Sequence, residues 1–293
     1  MQVLLTGATG FVGSHMLNRL LEQGHGVRGM VRKGNKIVGH QNQSVPLVEG
    51  DVVSGAGLDE AIRGCDAVIH LVGIIVEKGK NTFEAVHHLG TKNVVEAAKR
   101  GGITRFIHMS ALGARADGAA RYQTSKWRGE EEVRHSGIPY CILRPSLIFG
   151  PGDGFVRQMM QTIEKAPFFR PVPGDGKGLY RPVFIGDVTT CFVRALTYAD
   201  AINQTIALGG AEELSLNQVL AEIARCVGVH KPAVHIPMAV MFAVAAIGQT
   251  ILPNPPVSVD QLRMLGEGSS GDIGPMKRIF KVEPRGFEGC GRD

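Results

Sequence analysis

Apolar and polar positions alternate along the first half of the chain in two periods that take turns. The run Val3, Leu4, Leu5 predicts a buried strand, and Val12, Met16, Leu17, Leu20 and Leu21 predict a helix ending near Gly24. The pattern then repeats. Strands are predicted at 27–32, 44–49, 67–71, 105–110 and 140–144, with a polar loop through Gln43 after the first of them. Helices are predicted at 58–63, 81–100 and 121–135; Gly101-Gly102 stops the second, and Gly137 closes the third with Pro139 beyond it. Strands that alternate with helices predict an α/β fold, a doubly wound parallel sheet covered on both faces.

The character changes after Pro145. Residues 145–182 are rich in Gly and Pro around a helix at 155–164. A strand at 183–185, a helix opening at Asp187 as its N-cap, a strand at 205–208 and a helix at 217–227 follow. The expected organisation is a nucleotide-binding domain over 1–150, a loop-rich α/β cap over 151–265 and a flexible, Gly-rich tail over 266–293. Residues 238–248 are apolar on every side. Extended to Leu252, the segment still falls short of the roughly 20 residues a membrane span needs. It reads as a buried helix or as an interfacial or partner-facing segment.

The first candidate chemistry sits between the first strand and the first helix, at Gly7, Gly10 and Gly13. Strand, glycine turn and helix make a Rossmann-type dinucleotide unit. Gly7 permits the tight turn, Gly10 lets the backbone approach a pyrophosphate, Gly13 lets the helix pack close, and the helix N-terminus offers N–H groups to phosphate. At the end of the second strand stand Arg32 and Lys33 with no acid nearby, which favours NADP(H) over NAD(H); the alternative is a pair of solvated loop charges. Asp51 could accept from the adenine amino group or cap the next turn.

The second is Tyr122 with Lys126, one helical turn apart on one face. A nearby ammonium is expected to lower the phenol's pKa, so that the pair exchanges a proton at a carbonyl beside a nicotinamide ring, with Ser110 polarising the same oxygen. His70, His87, His88 and His108 invite a metal reading, but His87-His88 is expected mid-helix without a matched acid, and no metal site is expected. Arg181 is a candidate for an anionic substrate group.

Composition narrows the partners. The 293 residues are 44% hydrophobic and carry a net charge of +5 with no basic run, so nucleic acid is not implied. Five cysteines, widely spaced and without a Cys-x-x-Cys, predict inert thiols rather than a metal site or disulfide framework. The first strand stands where a signal peptide would be, and the expected compartment is the cytoplasm.

Several segments together carry a resemblance. Thr6-Gly-Ala-Thr-Gly-Phe-Val-Gly13, Gly50-Asp51-Val52, Ser110, Tyr122-x-x-x-Lys126, Leu143-Arg-Pro-Ser-Leu-Ile-Phe-Gly-Pro-Gly-Asp153 and Arg181-Pro-Val-Phe-Ile-Gly-Asp-Val188 resemble the short-chain dehydrogenase/reductase superfamily, in its extended or atypical branch. Phe106-Ile-His-Met-Ser-Ala-Leu-Gly113 looks most like bacterial relatives of the NADPH-binding accessory subunit of respiratory complex I, a group also described as NAD-dependent epimerase/dehydratase-like. The resemblance implies that Gly7, Thr9, Gly10, Phe11, Val12 and Gly13 hold the pyrophosphate and that Arg32 meets the 2′-phosphate. It puts Asp51 and Val52 at the adenine and Leu71, Val72 and Gly73 along the adenosine. Lys126 would hold the nicotinamide ribose, with Pro145 and Ile148 near the nicotinamide. Ser110 is followed by Ala111 where extended members carry a second hydroxyl residue, and 11 residues separate Ser110 from Tyr122, which weakens a sugar-nucleotide reading.

Three functions follow. One is an NADP(H)-dependent oxidoreductase on a small apolar carbonyl or alcohol, using Ser110, Tyr122 and Lys126. Another is a non-catalytic NADPH-binding accessory or assembly protein of a respiratory complex, peripheral at the inner membrane face. The third is a sugar-nucleotide epimerase or dehydratase.

Overall fold

The computed structural model describes residues 1–34, 45–251 and 257–289; the polar loop through Gln43, Ser44, Leu252 and Cys290 lie outside the described residues. The chain opens with β1 (Gln2–Thr6), α1 (Phe11–Glu22), β2 (Gly26–Val31), β3 (Leu47–Glu49), α2 (Leu58–Ile62) and β4 (Ala67–His70). A π-helical turn (Glu84–Leu89) runs into α3 (Gly90–Arg100), followed by β5 (Arg105–Met109), α4 (Arg121–Arg134) and β6 (Tyr140–Pro145). Together with β11 (Gln204–Leu208) these strands form one sheet in the order β11-β6-β5-β4-β1-β2-β3, parallel at every pairing. This is the Rossmann arrangement, with strand order reversing beside β1.

β1 shows why the sheet has two covered faces. Leu4 points into a core closed by α2, α3 and Val133 of α4. Val3 and Leu5 point the other way, into a core with α1 and α6 (Ile185–Ala195). All three are fully buried, as period-2 alternation in a central parallel strand requires.

The cap is built from β7 (Ile148–Phe149), α5 (Gly154–Lys165), β8 (Arg170–Pro173), β9 (Leu179–Tyr180), β10 (Val183–Phe184), β12 (Leu214–Ser215), α7 (Leu216–Cys226) and β13 (Ala233–Ile236). Its strands pair only in twos, and its own core gathers Val156, Ile163, Val172, Leu220 and Ile223. Next come α8 (Met238–Ile251) and α9 (Val259–Glu267), which pack on each other.

Four expectations are corrected. Residues 266–293 are not simply a flexible tail: α10 (Gly274–Phe280) docks on α6 and β11 with Met276 and Phe280 fully buried, because its apolar residues fill the face those elements leave open. α8 is not a buried helix, since Val240, Val244, Ile247 and Ile251 are each more than half exposed. Asp187 does not cap α6, which opens at Ile185; its Oδ2 accepts from the Arg285 N–H at 2.9 Å and ties down the C-terminal segment. Cys65, Cys141 and Cys191 are free and buried, but Cys226 is disulfide-bonded. Among the described residues no helix is long and apolar enough to cross a membrane.

Candidate dinucleotide and acid–base site

The glycine turn is built by close approach. Gly7 has φ +77°, its carbonyl accepts from the Gly10 N–H at 3.0 Å, and α1 begins at the next residue. A Cβ on Gly13 would stand 2.1 Å from Gly7 O, so no side chain fits there. The first turn of α1 therefore lies against the end of β1, leaving its N–H groups free to meet an anion. Beside it opens a cavity of about 230 Å³. Gly7, Thr9, Gly10, Arg32, Asp51, Val52, Leu71, Val72 and Gly73, among the expected cofactor-binding residues, line it. Phe11, Val12, Gly13, Tyr122, Lys126, Pro145 and Ile148 lie outside this lining; Pro145 and Ile148 belong to β6 and β7. Asp51 both faces the cavity and turns its own loop, its Oδ1 accepting from the Val53 N–H at 2.9 Å.

Sequence reasoning missed Met30, Val53, Ile74, Asn81 and Val86 in the same lining. Asn81 and Val86 flank the start of the π-helical turn, and a 3.6-residue pattern gives no sign of that turn. It also missed an acid. β2 and β3 run in register with Val31 opposite Glu49, and Glu49 lines an adjoining cavity with Arg32, Lys33 and Lys80.

α4 presents Tyr122 and Lys126 on its inner face. Lys126 is buried, and its Nζ donates to Met109 O, at the end of β5, at 2.8 Å. A Cβ on Gly73, which lines the dinucleotide cavity, would lie 3.3 Å from that Nζ, so the ammonium sits just behind the Gly73 wall of the cavity. Burial lowers Lys126 to about 8, opposed by the Glu130 carboxylate. Tyr122 is held edge-on by Phe83 and His87, at ring distances of 5.8 and 5.2 Å. Burial pushes its phenol up to about 12, contrary to the expected lowering, with desolvation as the cause. Ser110 Oγ is buried and, among the described residues, has no hydrogen-bond partner.

His87 is the further residue of this site. The Ile74 N–H donates to its Nε2 at 2.9 Å, so its Nδ1–H donates to Ser125 Oγ, also at 2.9 Å. The neutral ring, lowered to about 2 chiefly by burial, thus locks the backbone after β4 to α4. His88 does have acids: Glu84 at 2.7 Å and Glu132 at 3.1 Å. Among the described residues no group of three or more His, Cys, Asp or Glu side chains is placed to hold a metal ion. Arg181 is engaged within the cap, 3.7 Å from Glu213.

This geometry has counterparts among known proteins. A family profile described as NAD(P)H-binding matches residues 7–163. Ceramide reductase of Caulobacter vibrioides is 34% identical over 165 residues, covering 56% of this chain and 52% of its own length. NADH dehydrogenase (ubiquinone) 1 alpha subcomplex subunit 9, mitochondrial, of Arabidopsis thaliana is 30% identical over 225 residues, covering 74% of this chain and 55% of its own. The chain thus spans about half the length of these two relatives. The solved UDP-glucose 4-epimerase of Thermotoga maritima superposes with a TM-score of 0.75 over 99% of this chain and 96% of that one; at 20% identity it shares the fold.

Proposed function

The chain belongs to the NAD(P)H-binding family, and from that premise we propose that it is an NADP(H)-dependent reductase, of the short-chain dehydrogenase/reductase type, acting on an apolar carbonyl compound. The observation that carries the reading is the nearness of cavity and acid–base pair: Gly73 lines the dinucleotide cavity, Lys126 Nζ lies 3.3 Å from where its Cβ would stand, and Tyr122 is one turn earlier on the same face of α4. Bound NADPH supplies a hydride. Tyr122, held protonated by burial, donates the proton to the carbonyl oxygen, and Ser110 Oγ, otherwise unpartnered, donates a hydrogen bond to the same oxygen. Lys126 returns the proton to the phenol. A raised phenol pKa suits a proton donor better than a base, which favours the reductive direction. Exposed apolar residues at Ile75 and Val76, in the loop after β4, favour an apolar substrate, the class that the name ceramide reductase also carries.

The test is NADPH oxidation against a panel of medium- and long-chain aldehydes and ketones. Tyr122→Phe is expected to lower kcat about 10²–10⁴-fold while leaving the NADPH Kd unchanged. A wild-type protein that binds NADPH and turns over no carbonyl would favour the second reading, a non-catalytic accessory protein of a respiratory complex. The exposed apolar face of α8 and the likeness to the Arabidopsis subunit speak for that reading.

A further inference from the structure

The rim at Arg32 contains a charge contest that β2 alone does not decide. The cavity there, about 590 Å³, gathers Arg32, Lys33, Glu49, Asp51 and, from a distant part of the chain, Lys80. Two bases against two carboxylates leave the rim formally neutral; Lys80 makes it +1. Among the described residues, none of the three cations forms an ion pair, so all three charges remain available. Glu49, opposite Val31 at the end of β2 and in the same lining, is a carboxylate of the kind that accepts from a free ribose 2′-hydroxyl.

Lys80 is presented by a built element. Lys78 and Asn81 exchange both backbone hydrogen bonds, at 3.0 and 3.1 Å, across a turn in which Gly79 has φ +56°. Glu77 anchors this hairpin: its Oε1 accepts from the Phe83 N–H at 2.7 Å, and its Oε2 pairs with Arg121 Nη1 at 2.9 Å. Lys80 is thereby held at the cavity rim opposite the β2 end, where Asn81 also lines the inner cavity.

We propose that Lys80 is a specificity-determining residue for the 2′-phosphate of NADP(H), supplying the third cation that outweighs Glu49. The inference rests on the NADP(H) reading and deepens it. A phosphate dianion gains from each charge-assisted contact, whereas a 2′-hydroxyl gains nothing from an ammonium there and is served by Glu49.

The experiment measures Kd for NADPH, NADH and adenosine 2′,5′-bisphosphate on the full chain, at fixed low salt, for wild type, Lys80→Gln, Arg32→Gln and Glu49→Gln. Lys80→Gln is expected to weaken NADPH and the bisphosphate about tenfold and to leave NADH within twofold. Glu49→Gln is expected to weaken NADH and to tighten NADPH. Equal shifts of NADPH and NADH in Lys80→Gln, or none, overturn the proposal; if Arg32→Gln still lowers NADPH selectively, the NADP(H) reading survives that failure. A wild-type protein that prefers NADH or discriminates neither overturns both. Lys80 is exposed, so the variant is expected to keep the wild-type melting temperature.

Discussion

Three imidazoles share the buried layer behind the acid–base pair. His70 and His108 lie opposite each other on β4 and β5 and stack at 5.4 Å. The Thr91 hydroxyl donates to His87 O, so it accepts from His70 Nε2–H, and His70 Nδ1 accepts from the Thr6 hydroxyl. His108 has neither ring nitrogen paired. Burial, more than the nearby Lys126 charge, lowers His70 to about 3, and it lowers His108 well below the ordinary histidine value. All three rings are neutral in the fold and titrate near 6.5 when unfolded, so the unfolded chain binds more protons below that pH. Their contribution is fully present above pH 6.5 and is lost on acidification towards the folded values, at up to about 1.4 kcal/mol per pH unit per histidine. The urea midpoint is therefore expected to fall between pH 7.5 and 5.5. His108→Leu should make that fall shallower and raise the unfolding free energy at pH 7.5 by about 1 kcal/mol, because it removes two unpartnered buried nitrogens; an unchanged slope would contradict this. The sequence made these histidines visible but not their stacking, since register joins residues 38 positions apart. Likewise the Tyr122/Lys126 spacing was legible, while the direction of the phenol's shift depended on Phe83 and His87 closing over it.

At the scale of elements, periodicity was enough to place β1 and α1 within a residue or two, because each carries an unbroken apolar face, whereas α4, whose buried face is Gln123, Ser125, Lys126, Gly129, Glu130 and Val133, was bounded by Gly137 and Pro139 beyond its end. What it could not show was how α4 is fastened. Glu130 is fully buried, pairing bidentately with Arg144 of β6 at 2.7 and 2.6 Å and with Arg134 at 2.5 Å. In the sequence it is one of three consecutive glutamates, and nothing distinguishes the one that faces inward. Glu130→Gln leaves Arg144 without its charge partner and Arg134 with Glu131 alone. Both are about a quarter exposed, so the expected cost is about 2 kcal/mol rather than the larger loss of a fully buried pair. Thermal unfolding checks it, and Glu131→Gln on the same helix should change little.

For the molecule as a whole, three cores carry the fold, one on each face of the sheet and one in the cap. The first is completed only by α10. Its apolar residues Met276, Ile279 and Phe280 follow helical spacing, but over seven residues flanked by Gly and Ser the pattern is too short to stand out in the sequence. Phe280→Ala is expected to cost about 3–5 kcal/mol, read from denaturant midpoints, as for other large aromatic truncations in a core. The same placement bears on synthesis. A ribosome delivers all seven sheet strands, α1 and α6 well before α10, so the nascent chain carries a finished sheet on which one patch of that face, beside α6 and β11, is still uncovered. During that interval the groove that Met276 and Phe280 fill stands open, and stalling within it is expected to leave an aggregation-prone intermediate rather than a smaller stable domain.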